Sequence, residues 1–249
     1  MSTNSNTVTA VGSLAGSVVL IIGGTSGIGR SAAIQAKAGG ATVLVAGSNA
    51  ERTQKAAEEN GFDGWRSFDV TQADTISAAL SDIPHVDHVV LLAGSFVAGK
   101  ILEADVGHLH RAFDERVWAA VHVLRALGDR LSRSGSVTFI SGTLADRPNA
   151  YGTAVLAAAS AAMEALARGL ALELAPVRVN TLSPGTTDTP LLHSALGSGR
   201  DAYVEGLGQR LPSGRVGTAE AAGAAVVFLM SNVSMNGETL HVDSGQRLI

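Results

Sequence analysis

The fold of this chain is decided by Val18–Gly29, which reads VVLIIGGTSGIG. Its first five residues are apolar and mostly β-branched, as in a buried strand. The glycines that follow are typical of a tight turn, and Arg30–Ala36 continues in a helical pattern. Glycines let a backbone approach a pyrophosphate closely, and the positive end of the helix dipole stabilises its charge. The stretch therefore predicts a phosphate-binding turn.

Two alternatives fit the same residues. Glycines also build purely structural turns between a strand and a helix. In addition, Gly24–Ser31 fits the nucleoside-triphosphate pattern G-x-x-x-x-G-K-S, with Arg30 in place of the lysine. A guanidinium replaces the compact charge of that lysine poorly. Residues further along the chain have to decide between these interpretations.

The size and composition of the chain favour one large α/β domain. It has 249 residues, of which 46% are hydrophobic. We expect residues 1–12 to be a flexible N-terminal tail and residues 13–249 to form a single domain. The net charge of −4 provides no basic surface for nucleic acid or an anionic membrane. Cysteine is absent, which excludes disulfides and thiol chemistry.

The sequence also bears on location. No apolar run approaches the roughly 20 residues of a membrane span. The polar residues at the N-terminus do not resemble a signal peptide. We therefore expect a cytoplasmic protein with a small-molecule substrate and with neither nucleic acid nor membrane as a partner.

Seven short apolar segments, each followed by small or polar residues, are predicted strands. They are Val18–Ile22, Ala41–Ala46, Trp65–Phe68, His88–Leu92, Ser136–Ile140, Val177–Leu182 and Glu238–Val242. Helical patterns separate them, so we expect parallel pairing. The pattern predicts an α/β fold, a single doubly wound Rossmann-type domain with a mostly parallel seven-stranded sheet. The segment from about 190 to 215 is longer than a connector needs to be, which is typical of a substrate lid or a disordered loop.

Short motifs recur in a fixed order along the chain. They are IGGTSGIG at Ile22–Gly29, DV at Asp69–Val70, LLAG at Leu91–Gly94, LALELAP at Leu170–Pro176, RVN at Arg178–Asn180, PGTTDT at Pro184–Thr189 and VDSG at Val242–Gly245. In this combination the chain resembles the short-chain dehydrogenase/reductase family over nearly its whole length. The resemblance implies an NAD(P)(H)-dependent oxidoreductase that transfers a hydride between nicotinamide and a carbonyl or alcohol substrate. It also argues against the triphosphate loop.

The resemblance assigns a cofactor role to residues at the strand ends. The pyrophosphate would lie on the glycine turn, the adenine at the third strand, the ribose at the fourth strand and the nicotinamide at the sixth. The residues carried over are Gly23, Thr25, Ser26, Gly27, Ile28, Gly29, Asp69, Val70, Ala93, Gly94, Pro184, Gly185, Thr186 and Thr189. Each follows a predicted strand, at the edge of the sheet where one ligand can meet them all.

The residues after the second strand bear on the choice of cofactor. NAD-selective sites usually carry a carboxylate here for the ribose 2′-hydroxyl, whereas this chain has Gly47, Ser48 and Asn49. Ser48 and Asn49 can donate hydrogen bonds to a 2′-phosphate, with Arg30 or Arg52 nearby in sequence. The missing acid favours NADP(H) over NAD(H), although an ordinary polar turn has the same composition.

The catalytic positions depart from the family. Its members place a tyrosine and, four residues later, a lysine on one helix face, where the cation lowers the pKa of the phenol. The register without gaps places these positions at Leu156 and Ser160, and a register that starts from Tyr151 places the lysine at Val155. Both registers lack the cation. An enzyme with this sequence therefore needs a non-standard proton donor.

Three residues are candidates for this chemistry. Ser141 is the preferred hydroxyl for the substrate oxygen, although Thr143 lies close to it in sequence. Tyr151 is a candidate proton donor, and a packing role in its proline-containing turn is the alternative. The family's helix asparagine corresponds to Arg116, or to Glu115 if the register slips by one. Arg116 can stabilise an oxyanion, and a surface or interface role is the alternative.

Other functions are weighed against this one. The histidine pairs His85 with His88 and His108 with His110 lack a convincing further ligand, so we expect no metal site. Small residues on the helix after Tyr151 and the family resemblance indicate a homodimer or homotetramer. Two functions stay open: the oxidoreductase, and a non-catalytic dinucleotide-binding sensor or partner subunit that has lost the proton-transfer pair.

Overall fold

The computed structural model describes residues 13–249, and the tail predicted over residues 1–12 lies outside the described residues. Strands and helices alternate along this part of the chain. The strands are β1 (Val18–Ile22), β2 (Thr42–Gly47), β3 (Gly64–Ser67), β4 (Val86–Leu91), β5 (Leu131–Ile140), β6 (Arg178–Pro184), β7 (Thr187–Asp188), β8 (Gly217–Thr218) and β9 (Thr239–Val242). The α-helices are α1 (Gly27–Ala38), α2 (Ala50–Asn60), α3 (Ala73–Leu80), α4 (Val106–Phe113), α5 (Ala119–Leu127), α6 (Ala154–Glu173), α7 (Pro190–Leu196), α8 (Arg200–Arg210) and α9 (Ala219–Ser231).

One seven-stranded sheet has the order β3-β2-β1-β4-β5-β6-β9. All neighbouring strands pair in parallel, and Ile21 of β1 lies opposite Val45 on one side and Val90 on the other. Strands β2 and β3 are added on one side of β1, and β4, β5, β6 and β9 are added on the other side. The predicted single doubly wound domain with a seven-stranded sheet is confirmed. In such a sheet a ligand binds beyond the carboxyl ends of the strands, where the order reverses.

Apolar side chains cover both faces of the sheet. On one face, α3, α5 and α6 contribute the buried residues Ile76, Leu80, Val123, Leu127, Met163 and Ala167. On the other face, α1 and α9 contribute Ala32, Ala33, Ala36, Val226, Leu229 and Met230. Each large apolar side chain contributes about 1.5–3 kcal/mol when buried. Because both faces are covered, the central strands β1 and β2 are nearly continuous apolar runs rather than alternating ones.

Helix α6 is apolar along much of its length. It has 20 residues, and its most apolar 18-residue window has a mean hydropathy of 1.5. By length and composition alone it is able to cross a membrane, so the expectation that no segment approaches a span is wrong for this helix. Met163, Ala167 and Ala171 of α6 belong to the core against the sheet. Core helices of globular proteins pass the same test, so one such helix is only a weak indication of a span.

The helical stretch between β4 and β5 is interrupted. Helix α4 ends at Phe113, a π-helical segment covers Asp114–Trp118, and α5 ends at Leu127. A π-turn contains one residue more than an α-turn, and apolar periodicity does not reveal the insertion. Strand β5 also starts at Leu131 instead of Ser136, because Leu131 pairs with Val86 across a shift in register. The backbone near β4 therefore differs from the pattern that the sequence indicates, in the π-helical segment and in the earlier start of β5.

The segment from 190 to 215 is helical and not a disordered loop. Helix α7 begins with Pro190, whose missing N–H would have no helical partner at this position. Helix α8 begins with Arg200, which pairs with Asp188 of β7 and with Asp201. Strand β7 itself pairs with β8. The short β7–β8 pair thus flanks the two helices, with β7 before α7 and β8 after α8.

Candidate active site

A cavity of about 1630 Å³ lies beyond the carboxyl ends of β1, β4, β5 and β6. It brings together residues that are far apart in sequence. Its lining includes Gly23, Thr25, Ser26, Gly27, Ile28, Gly29, Ser48, Asp69, Val70, Ala93, Gly94, Pro184, Gly185, Thr186 and Thr189. The candidate catalytic residues Ser141, Tyr151 and Arg116 also line it. Of the predicted cofactor residues, only Asn49 is not part of the lining.

The glycine turn after β1 leaves no room for side chains. Gly23 has φ +88°, and a Cβ on it would lie 2.8 Å from the backbone nitrogen of Ala93. A Cβ on Gly29 would lie 2.1 Å from the carbonyl oxygen of Gly23. The backbone of the turn is thus tightly packed at Gly23 and Gly29, and α1 starts at the cavity directly after it. Its first N–H groups are available to an anion, as helix N-termini generally are.

Gly27 and Thr189 lie close together in the lining of the cavity. A Cβ on Gly27 would meet the side chain of Thr189 at 3.3 Å. Gly27 belongs to the predicted pyrophosphate turn and Thr189 to the predicted nicotinamide segment. Thr186 in that segment donates from its backbone nitrogen to Oε1 of Gln246 at 2.7 Å. Gln246 also lines the cavity, and the sequence analysis missed it because it lies in the C-terminal segment, outside the family motifs.

The residues proposed for a 2′-phosphate after β2 fall into two groups, those that line the cavity and one that does not. Ser48 and Arg52 line the cavity. Asn49 is the N-cap of α2, and its Oδ1 accepts a hydrogen bond from the backbone nitrogen of Arg52 at 2.8 Å. The Asn49 side chain thus caps the helix, for which asparagine is well suited, and its role at the cofactor stays a prediction. No carboxylate follows β2 in this turn, as the sequence indicates.

Asp69 shapes the loop after β3. Its Oδ1 accepts hydrogen bonds from the backbone nitrogen of Thr71 at 2.9 Å and from Oγ1 of Thr71 at 2.8 Å. Such a bond to the residue two positions later is an Asx-turn. The turn places Asp69 and Val70 in the lining of the cavity.

Ser141 has a carboxylate partner. Its Oγ donates a hydrogen bond to Oε1 of Glu164 at 2.6 Å. Ser141 follows β5, and its backbone nitrogen donates to the carbonyl of Leu182 at 2.8 Å. Glu164 lies on α6, half-buried, and does not line the cavity. The sequence analysis missed Glu164, although it lies four residues after Ser160 and therefore on the same helix face.

The positions of the family's tyrosine and lysine hold side chains of a different kind. Leu156 is 3% exposed and Ser160 is 4% exposed, and both line the cavity. Tyr151 is 84% exposed and lies at the rim of the cavity. Within residues 13–249 its hydroxyl makes no hydrogen bond to the protein; only its backbone nitrogen does, to Asn149. The inner wall of the cavity is thus lined by a buried leucine and a buried serine hydroxyl.

Arg116 lies against the end of β4. Its guanidinium donates to the carbonyl of Ser95 at 2.9 Å and to that of Ala112 at 3.4 Å. A Cβ on Gly94, which has φ +147°, would lie 3.1 Å from the Arg116 Cζ. Burial lowers the pKa of Arg116 from its ordinary value, and Glu115 opposes that change. Arg116 belongs to the π-helical segment, is partly buried and lines the cavity.

Glu115 holds the loop that follows β4. Its Oε2 accepts hydrogen bonds from Ser95, and its Oε1 accepts from Arg111 Nε at 2.9 Å and Nη2 at 2.6 Å. Burial alone would raise the pKa of Glu115, but the hydrogen bonds from Ser95 and Arg111 outweigh it and lower the pKa. Glu115 is thus a buried carboxylate, and both of its oxygens accept hydrogen bonds. Sequence analysis considered it only as an alternative to Arg116, because residues 95 and 115 are brought together by the tertiary fold.

Three of the four paired histidines have hydrogen-bond partners. His85 contacts Asp87 at 2.9 Å, buried His88 contacts Ser136 Oγ at 2.9 Å, and His108 contacts the carbonyl of Ala98 at 3.1 Å. In the part of the chain that the structure describes, no group of three His, Asp or Glu side chains is arranged to hold a metal ion.

Comparison with known proteins agrees with this geometry. The family model for Enoyl-(Acyl carrier protein) reductase matches residues 23–247. The chain belongs to the short-chain dehydrogenase/reductase family. This is a family of NAD(P)-dependent oxidoreductases that act on small molecules, and the resemblance inferred from the motifs is confirmed.

Relatives match the chain over almost its whole length. Short-chain dehydrogenase/reductase ATR9 of Stachybotrys chlorohalonatus is 33% identical, and the match covers 92% of this chain and 96% of that protein. The 2-keto-3-deoxy-L-fuconate dehydrogenase of Xanthomonas campestris pv. campestris is 30% identical, with 93% and 80% covered. A solved small-chain dehydrogenase in complex with NADPH is 33% identical, with a TM-score of 0.80 and coverage of 94% and 99%.

Proposed function

We propose that this short-chain dehydrogenase/reductase is an NADP(H)-dependent oxidoreductase that acts on a carbonyl or alcohol substrate through a non-standard proton donor. One observation carries the proposal. A single cavity gathers the glycine turn, the strand-end residues and the hydroxyl of Ser141 at the carboxyl edge of the sheet. Bound nicotinamide supplies hydride chemistry, so the protein has to supply orientation and proton transfer.

Each part of the cavity has a proposed role in holding the cofactor. Gly23–Gly29 and the start of α1 would hold the pyrophosphate. Asp69 and Val70 would contact the adenine, and Ala93 and Gly94 the ribose. The nicotinamide end would lie against Pro184–Thr189. The closeness of Gly27 and Thr189 supports this placement, because one dinucleotide has to reach both the glycine turn and the Pro184–Thr189 segment.

The preference for NADP(H) is supported by the turn after β2. Ser48 provides a hydroxyl and Arg52 a guanidinium in the cavity lining, and no carboxylate lies there to repel a 2′-phosphate. Asn49 contributes indirectly in this proposal, because its cap orients the first turn of α2 and with it Arg52. The NADPH complex of the 33% identical relative is in line with this preference.

Ser141 is the proposed hydroxyl for the substrate oxygen. It lines the cavity and is held by Glu164, whereas Tyr151 is largely exposed at the rim. Arg116 is the proposed source of positive charge near the reacting oxygen. With its guanidinium fixed by two backbone carbonyls, it would act without reorganisation. Loss of the tyrosine as general acid lowers the reaction rate on the order of 10²–10⁴-fold. The rate enhancement that comes from positioning the cofactor and substrate would remain.

A second candidate function is a non-catalytic dinucleotide sensor or partner subunit. Leu156 and Ser160 at the family's tyrosine and lysine positions favour it, because neither can exchange a proton near neutral pH. We further propose a homodimer or homotetramer. Ala158 and Ala161 of α6 are exposed and would let a second copy approach, whereas Ala157 is buried within the chain.

The deciding experiment is a fluorescence titration of the purified protein with NADPH and NADH. It is followed by turnover assays with panels of ketones, quinones, imines and alcohols. Tight NADPH binding together with turnover that falls sharply in Ser141→Ala supports the oxidoreductase. A comparable fall in Tyr151→Phe would assign the proton to Tyr151. Tight binding without turnover of any substrate supports the sensor, and failure to bind either nucleotide contradicts both functions.

A further inference from the structure

The hydrogen bond between Ser141 and Glu164 determines what Ser141 can offer to a substrate. A serine hydroxyl has one proton, and an ionised carboxylate accepts hydrogen bonds without donating any. At 2.6 Å, the Ser141 proton is directed at Oε1 of Glu164. This distance is in the range of a charge-assisted O–H···O⁻ bond, which is stronger than a neutral one. The lone pairs of Ser141 Oγ are therefore the part of the hydroxyl that is free for the cavity.

A hydroxyl that presents only lone pairs selects its partner. A carbonyl oxygen has no proton to give and would face Ser141 as a second acceptor. An alcohol has a proton, and its O–H can donate to Ser141 Oγ while the Ser141 proton stays on the Glu164 side. The reactive group that pairs with this site is thus a hydrogen-bond donor.

The other side chains of the inner wall do not change this conclusion. Leu156 has no polar atom, and Tyr151 is directed to the exposed rim. Arg116 keeps its protons under all ordinary conditions and cannot accept one. Its proposed positive charge would stabilise the negative charge that develops on the oxygen as the alcohol loses its proton. Ser160 has a hydroxyl but no bonded carboxylate partner among the described residues. Asp69, Asp114, Glu115 and His122 also line the cavity. Beside Leu156 on the inner wall, however, Ser141 is the side chain that is hydrogen-bonded to a carboxylate.

We propose that Ser141 and Glu164 form a proton-accepting pair and that the substrate is an alcohol, which the chain oxidises. This inference rests on the proposed oxidoreductase function. The alcohol proton moves to Ser141 Oγ as the Ser141 proton moves to Oε1 of Glu164. The carbinol C–H bond breaks and its hydride is taken up by the oxidised nicotinamide dinucleotide, so the substrate carbon becomes a carbonyl. The proton on Glu164 then leaves to solvent, which reaches this half-buried side chain.

In this scheme Glu164 is a positioning residue that acts through Ser141, since it does not line the cavity. It replaces the function that the family obtains from the tyrosine and lysine. Carboxylates are ordinarily ionised at neutral pH, whereas a tyrosine without a neighbouring cation is not. A carboxylate that works through a serine is therefore able to accept a proton without the lysine.

The first test compares Glu164→Gln with a matched control. Glutamine keeps the shape and an acceptor oxygen but cannot take up the proton. Glu173→Gln makes the same charge change at an exposed position of α6. NADP⁺-dependent oxidation of a panel of secondary alcohols is measured together with NADPH binding. We expect kcat/KM of Glu164→Gln to fall by about 100-fold or more with unchanged NADPH affinity, and Glu173→Gln to stay within about twofold of the wild type.

The separation of kcat from KM provides a readout that a purely structural role would not move. We expect Glu164→Gln to lower kcat for the alcohol and to leave KM unchanged, because Glu164 takes part in proton transfer and not in binding. A Glu164→Gln enzyme with wild-type kcat would overturn the pair. Carbonyl reduction that exceeds alcohol oxidation and is insensitive to Glu164→Gln would also overturn it.

A second measurement covers the case in which Glu164→Gln does not fold. The rate of the wild-type enzyme is measured in mixtures of light and heavy water. Two protons in flight predict a curved dependence on the deuterium fraction, whereas a linear dependence means one proton and contradicts the pair. Tight NADPH binding with no turnover of alcohols or carbonyls by the wild type would refute the oxidoreductase function itself, which separates that failure from failure of the pair.

Discussion

Glu115 accepts two hydrogen bonds from Ser95 at one oxygen, from the backbone nitrogen at 2.6 Å and from Oγ at 2.7 Å. The next residue, Arg116, donates to the carbonyl of the same Ser95 at 2.9 Å. Two consecutive residues of the π-helical segment thus hold three atoms of one loop residue. This arrangement is possible because the extra residue of the π-turn points neighbouring side chains to the same loop. It joins the end of β4 to the wall of the cavity.

Replacing Glu115 by glutamine should destabilise the protein and loosen this loop. The variant loses the ionic partner of Arg111 and weakens the bonds from Ser95, and hydrogen bonds to charged groups contribute about 1.5–3 kcal/mol each. We expect a loss of about 1–3 kcal/mol in the free energy of unfolding, measured by urea denaturation. Glu103→Gln is the matched control, because its pair with Lys100 is exposed. Equal stability of the two variants would contradict the role of Glu115.

Protonation of His88 should destabilise the folded chain. Burial, together with the positive charge of Arg178, lowers the pKa of His88 to about 4 from an ordinary value of 6.5. The unfolded chain takes up this proton as the pH falls below 6.5, while the folded chain does so only near 4. The free energy of unfolding should therefore fall over this interval, by about 3 kcal/mol in total.

The contribution of His88 is isolated with His88→Asn, which keeps a polar group near Ser136 but does not titrate. Urea midpoints between pH 7 and 4 should decline less steeply in this variant than in the wild type. Identical slopes in the two proteins would show that His88 does not carry the effect.

An alanine at Gly29 should abolish the phosphate-binding turn. Its Cβ would lie 2.1 Å from the carbonyl oxygen of Gly23, a distance that no side-chain adjustment can relieve because both groups are backbone. We expect loss of detectable NADPH binding in a fluorescence titration and a lower melting temperature. Gly206→Ala is a suitable control, since a Cβ there meets nothing within 4 Å. Normal NADPH binding by Gly29→Ala would show that the turn can open without cost.

Removal of the Arg52 guanidinium should affect NADPH and spare NADH. A charged hydrogen bond to the 2′-phosphate contributes about 1.5–3 kcal/mol, which corresponds to a rise of about 10- to 100-fold in the Kd for NADPH in Arg52→Ala. The Kd for NADH should stay unchanged because NADH lacks this phosphate. Arg30→Ala serves as the control, since Arg30 does not line the main cavity. A parallel rise in both constants would assign Arg52 a structural role instead.

Much of the fold was predictable because it depends on local patterns. Val18–Gly29 carries its own signal, an apolar strand followed by glycines in a turn that other residues cannot adopt. The second and fourth strands carry a similar signal, since apolar residues make up most of each. The π-helical segment and the start of β5 at Leu131 were not predictable, since they depend on pairing with distant residues.

The sequence by itself determined the parallel seven-stranded sheet, because alternating apolar strands and helices are short-range patterns, and its motifs determined the family. Only the tertiary structure decided which groups can exchange protons there. Ser141 and Glu164 are 23 positions apart and meet because α6 packs beside the end of β5. Likewise, Ser95 meets Glu115 through a π-turn, and Asn49 turns its side chain to its own helix. Hydrogen-bond partners depend on how helices are placed and rotated against the sheet, and no local pattern records that rotation.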